Sequence, residues 1–226
     1  MTFILNVLHR DMSILAADQK AIALWPVRSG SGITVPAGRG SVVHGFNKIT
    51  LNANAGMALG IAGDTQSHSY TQQINLSIGV NEGLSIIRKH MERFLRVDQR
   101  AGLITSTEFT VNQCIASFFD QDVGVYFSNS FLFTPTRSET RLHRAGDEVK
   151  ILYAGTGGKH FEDALGSAAI TPFRAAAKDA CSPEACMAWM RNAFVSVGAN
   201  DPDSGHDPMF VVSTRASPQF RSIERF

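Results

Sequence analysis

Thr2, Asp18 and Lys48 are residue types that together can cleave an acyl bond, and all three lie in the first quarter of the chain. Methionine ahead of a small residue is normally removed, so the mature chain is expected to begin at Thr2. It would then carry a hydroxyl and a free α-amine on one residue. The Oγ can attack a carbonyl, and the amine, with an ordinary pKa of about 7.7–8.0, can take up the proton. An ammonium near that hydroxyl lowers its pKa and favours the attacking alkoxide. A carboxylate beside the lysine keeps it charged where burial alone would push it towards neutrality. Threonine at position 2 is common, and an Asp–Lys pair can serve structure alone. The surrounding elements must therefore show whether the three can meet.

Residues 3–8 and 12–17 are predicted as strands around a turn at His9-Arg10-Asp11. Residues 25–45 are rich in Gly, Ser and Pro and read as an exposed loop or loosely built hairpin. Residues 48–51 and 57–62 form a further strand pair, and Asp64-Thr65 caps a helix. A second helix puts Leu84, Ile87, Met91 and Phe94 on one stripe. Strands follow at 111–119, 123–127, 131–133 and 149–154. Helices are expected at 159–178, kinked at Pro172, and at 182–197, ended by Gly198; strands at 209–214 and 220–223 close the chain. Paired helices between groups of strands argue against a parallel βαβ fold. The expectation is one α+β domain over residues 1–226: two antiparallel sheets face to face, with a helix pair on each outer face, in four αββα layers.

Composition removes several function classes. With 226 residues, 44% of them hydrophobic and 18% charged, the chain can bury a sizeable core. A net charge of +1 gives no electrostatic pull towards nucleic acid or membrane. No run approaches the roughly 20 apolar residues of a membrane helix. His9, Arg10 and Asp11 interrupt the apolar start before a signal-peptide core could form, so the cytoplasm is expected. Three cysteines argue against a disulfide framework. Ser182 and Pro183 read as a helix start, with Cys181 and Cys186 packed across it. The seven histidines are scattered without metal-ligand spacing on a helix, and neither metal nor cofactor is expected. Gly30-Ser31-Gly32 has the spacing of neither a phosphate loop nor a nucleophile elbow, and His206-Asp207 near Ser204 falls in the wrong strand order for a serine hydrolase.

Five stretches in order resemble the proteasome β-subunit and HslV family, most of all the bacterial proteasome homologues. They are Thr2 with Ile14-Leu15-Ala16-Ala17-Asp18; Asn47-Lys48-Ile49; Leu59-Gly60-Ile61-Ala62-Gly63; Ala154-Gly155-Thr156-Gly157-Gly158; and Asp201-Pro202-Asp203-Ser204-Gly205. The step of sixteen residues from Thr2 to Asp18, and of fifteen from Lys48 to Gly63, match that family as well. Asp64 stands where relatives usually carry a small residue, Thr156 where they carry serine, and Ile22 where they carry threonine. The 25–45 segment is also longer than in simple relatives.

The resemblance implies a threonine-type N-terminal-nucleophile peptidase. In it Thr2 attacks, Asp18 holds Lys48 charged, Gly63 N–H receives the oxyanion, and Asp201, Ser204 and Thr156 surround the Thr2 amine. Lys20, Ile22, Phe46, Thr50 and Ile61 would bind the substrate, with a preference for small-to-medium apolar residues before the cut. The partners it implies are further copies of the chain in a homo-oligomeric double ring and a peptide or unfolded protein as substrate, with an ATP-driven unfoldase as an optional partner. Two other readings stay open: a small-molecule amidase on the same fold, and a non-catalytic ring or scaffold subunit that keeps Met1.

Overall fold

The computed structural model describes residues 2–22, 26–28, 34–36, 42–52, 56–63, 112–133, 138–163, 182–201 and 204–223. In chain order these give β1 (Ile4–His9), β2 (Met12–Asp18), β3 (Ala21–Ile22), β4 (Pro26–Arg28), β5 (Thr34–Pro36), β6 (Val42–Val43), β7 (Ile49–Asn52) and β8 (Met57–Ala62). Then come β9 (Asn112–Asp120), β10 (Val125–Phe133), β11 (Ser138–Arg144) and β12 (Lys150–Ala154). Residues 157–163 are helical (α1), and α2 (Pro183–Asn200), β13 (Pro208–Thr214) and β14 (Ser217–Ile223) follow. The predicted helix cap at Asp64-Thr65, the helix bearing Leu84 to Phe94, the Pro172 kink and Cys181 lie outside the described residues.

Two antiparallel five-stranded sheets form the body, so the fold is α+β. The first has the order β12-β1-β2-β13-β14 and the second β11-β10-β9-β8-β7. Their facing sides pack Ile4, Leu15, Ala17, Val211 against Ala58, Ala62 and Ile115. Gly60 lets the sheets approach: a Cβ there would lie 3.0 Å from the Ile4 side chain. The other side of the first sheet, Phe3, Leu5, Ile14 and Phe210, is covered by Phe161 of α1 and by Met187, Met190, Phe194 and Val197 of α2. The far side of the second sheet is a separate buried cluster that includes Met57, Leu59, Ile61 and Cys114. Within the 25–45 segment β4 pairs with β5, and β6 pairs with β3, which precedes the segment.

Three elements differ from the sequence expectation. The strands expected at 123–127 and 131–133 are one strand, β10. Its Ser128-Asn129-Ser130 reads as a break, but Ser128 is buried between the sheets opposite Ser117, whose hydroxyl bonds Ser13 across the sandwich at 2.6 Å. A strip of small polar side chains inside the sandwich thus replaces the apolar alternation. The strand β11, SETRLHR, lacks an apolar strand pattern because it is an edge strand with a largely polar, exposed sequence. Finally, Gly198 does not end α2. The helix runs on to Asn200, and the Asp201 N–H closes it on the Val197 carbonyl. Gly198 is there because His206 lies against it, and a Cβ would overlap the imidazole. The start of α2 is as expected, with Ser182 Oγ accepting from Ala185 N–H at 3.1 Å.

Candidate functional site

One end of the sandwich collects the start of β1, the ends of β2, β8 and β12, and the start of β13. The registers require this: Ile4 pairs with both Ala17 and Ala154, Asp18 with Pro208, and Ala62 with Gln113 at the start of β9. Residues far apart in sequence therefore meet there, and Thr2 sits among them, 5% exposed.

Asp18 is the centre of the cluster. Its carboxylate is wholly buried, and both oxygens accept from Lys48 Nζ at 2.9 Å. Oδ1 also accepts the Phe3 N–H at 2.7 Å, while Oδ2 accepts the Gly205 N–H at 3.1 Å and the Lys20 N–H at 3.3 Å. Three backbone donors and one ammonium satisfy the buried carboxylate. They also fix the first peptide after Thr2 and the 204–205 turn to the same two oxygens. Lys48 is 3% exposed. Burial lowers its pKa, the charge and hydrogen bonds of Asp18 raise it, and Lys20 lowers it further. The site thus holds an ammonium poised between burial and its counterion, beside the residue that follows Thr2.

Thr156 Oγ1 accepts from Thr2 N at 3.3 Å. That nitrogen is the peptide N–H after Met1 in the full chain, and removal of Met1 turns it into the α-amine. The Thr2 carbonyl accepts the Gly157 N–H at 3.3 Å. Gly155, at φ +91°, lies against that carbonyl, and a Cβ there would overlap the oxygen. Asp201 and Ser204, both buried, bond each other: Ser204 Oγ donates to Asp201 Oδ2 at 2.7 Å. Through Gly205 N–H their turn reaches Asp18. Gly63 follows β8 directly, and the Ala62 side chain before it would stand 3.2 Å from a Gly155 Cβ.

The residues expected to bind substrate divide. Lys20 and Phe46 are half-buried, and the Phe46 N–H bonds the Gln19 carbonyl at 2.9 Å, tying the segment before β7 to the one after Asp18. Thr50 is half-buried on β7, and Ile22 pairs with Val42 in the β3–β6 ladder. Ile61 is fully buried with Leu59 and Cys114 on the far side of the second sheet, turned away from Thr2's sheet. Sequence reasoning did not find Gln113, whose side-chain carbonyl accepts the Gly155 N–H and so holds the loop under Thr2. The only available clue was a polar residue at the start of a buried strand.

Cys114 offers no rival nucleophile, because burial pushes its thiol up to about 12. Among the described residues no group of three or more His, Cys, Asp or Glu could hold a metal ion. None of the described helices is long and apolar enough to cross a membrane. The Gly155→Ala variant should be destabilised by about 2 kcal/mol or more, from the positive φ and the overlap with Thr2. A denaturant titration showing an unchanged midpoint would contradict the close approach of these two segments.

No family model matches the sequence, and no curated protein matches it either.

Proposed function

We propose that the chain is a threonine-type N-terminal-nucleophile hydrolase that cleaves peptide bonds. The observation that carries this reading is the buried Asp18–Lys48 pair, whose carboxylate also accepts the N–H of Phe3, the residue joined to Thr2. An ammonium held charged next to the residue that follows Thr2 is placed to favour an attacking Oγ on Thr2.

In the proposed reaction Thr2 Oγ attacks the scissile carbonyl and its proton passes to the α-amine. The charge on Lys48 favours the attacking oxygen, and the Gly63 N–H receives the oxyanion, an interaction worth about 3–4 kcal/mol of barrier. Collapse breaks the C–N bond, and the leaving amine takes the proton. Water, deprotonated by the Thr2 α-amine, then attacks the Thr2 ester; the ester C–O bond breaks, Oγ takes the proton back, and the acid is released. Thr156, Asp201 and Ser204 orient the amine. The reading extends to a four-layer αββα sandwich, a cytoplasmic double ring of identical subunits with inward-facing sites, and an ATP-driven unfoldase as a partner.

The test is an intact mass followed by incubation with a peptide epoxyketone, whose ring adduct needs both Oγ and a free amine. The expected result is loss of Met1 and one adduct on Thr2. Retained Met1, or no adduct in the assembled protein, would end this reading.

A further inference from the structure

A cleft of about 290 Å³ opens beside the Thr2 cluster, between the end of β12 and strands β9, β10 and β11. Gln113 and Ala154 form the part nearest Thr2. Gln113 holds the Gly155 N–H, and Gly155 rests on the Thr2 carbonyl. Lys20, Ile22, Phe46 and Thr50 lie on the other side, around β3 and β7, because β8 separates β7 from β9 in the sheet. An acyl group bonded to Thr2 and laid towards β7 therefore leaves the departing amine on the side of the cleft.

The charges in the cleft are ordered. Gln113, Leu132 and Glu139 form the row across the second sheet nearest Thr2; Ile115, Ser130 and Arg141 form the next row facing the same way. Two residues along a strand separate the rows by about 7 Å. That is also the extended span of two residues, from a freed amino group to the carboxylate beyond it. Among the described residues no carboxylate pairs with the Arg141 guanidinium. Burial, with Lys150 and Arg141, holds the nearby His143 imidazole towards neutrality.

We infer that this cleft is the leaving-group subsite and selects peptides carrying a carboxylate two residues past the cut, with the freed amine at the level of the Gln113 row and the carboxylate one row further on, within reach of Arg141. The inference rests on the peptidase reading. Its chemistry is that of an exposed guanidinium–carboxylate contact, so the preference should shrink in high salt.

The test uses three quenched peptides with one shared acyl half. One ends in a free carboxylate two residues after the cut, one carries Asp there with an amidated end, and one is amidated with a neutral residue. The wild-type protein should favour one or both acidic peptides over the neutral one by about tenfold in kcat/KM. The larger preference tells whether the chain end or a side chain is the natural carboxylate. Arg141→Ala should remove the preference, and Arg141→Glu should reverse it. A flat wild-type profile, or a preference that survives Arg141→Ala, overturns the subsite. Epoxyketone labelling run alongside separates the two claims. A labelled Thr2 with a flat profile overturns the subsite alone, whereas an unlabelled Thr2 overturns the peptidase reading and the subsite with it.

Discussion

Peptide turnover by the Thr2→Ala protein should fall by about 10⁴-fold or more, while its unfolding midpoint moves by no more than about 1 kcal/mol. The two expectations separate because the contacts that hold Thr2 in place belong to its backbone. Its nitrogen bonds Thr156 Oγ1, and its carbonyl takes the Gly157 N–H beneath Gly155. Truncating the side chain leaves all of these and removes the attacking oxygen. Thr2→Ser restores an Oγ in the same place and should recover most of the lost activity. Fluorogenic peptide assays on purified assemblies, with a denaturant titration on each variant, measure both quantities. Activity persisting in Thr2→Ala would mean that the nucleophile lies elsewhere.

The elements that carry this site were readable because their sequences obey simple rules. The stretches that became β1, β2 and β8 are short apolar runs ending at turn residues, as buried strands require. α2 announces its start through Ser182 and Pro183. Their relative placement was not readable from those rules. Composition and periodicity cannot tell that Ala154 pairs with Ile4, or that Gly205 reaches Asp18 from 187 residues away. Thr2, Asp18 and Lys48 were singled out for chemical type, and motif order supplied their grouping.

Where the sequence misled, tertiary contacts had overruled local preference. Glycine near a helix end ordinarily signals a stop, but Gly198 answers to the His206 ring. Ser-Asn-Ser ordinarily signals a turn, yet in β10 Ser128 sits opposite Ser117 in a polar seam that includes Ser13. Gln113 was missed for the same reason, since its partner Gly155 is 42 residues distant.

Asp18→Asn should cost about 3–5 kcal/mol of stability, because it leaves a buried lysine without its counterion. The side chain keeps its volume and one carbonyl acceptor, so cavity formation contributes little; the loss reports the charge together with the backbone N–H bonds that an amide nitrogen cannot accept. The pH dependence has a defined sign. Burial lowers the folded-state pKa of Lys48 below its ordinary 10.5. Between that lowered value and 10.5 the unfolded chain binds more protons than the folded one, so this residue makes stability rise with pH. Asn at position 18 removes both influences that raise the Lys48 pKa. The window should then extend to lower pH, and the variant should lose most stability on the acid side and recover towards alkaline pH. Chemical denaturation across pH measures the slope; a slope equal to that of the wild type would contradict the assignment. Adding Lys48→Met to Asp18→Asn removes the stranded charge and should restore much of the stability, since a buried ion pair replaced by neutral groups of similar volume is often nearly neutral. Catalysis should not return with it, because no ammonium is left to favour the Thr2 alkoxide. A double variant that folds well and stays inactive would show that the pair is retained for its chemistry. One that folds well and cleaves peptides normally would reduce Asp18 and Lys48 to scaffolding.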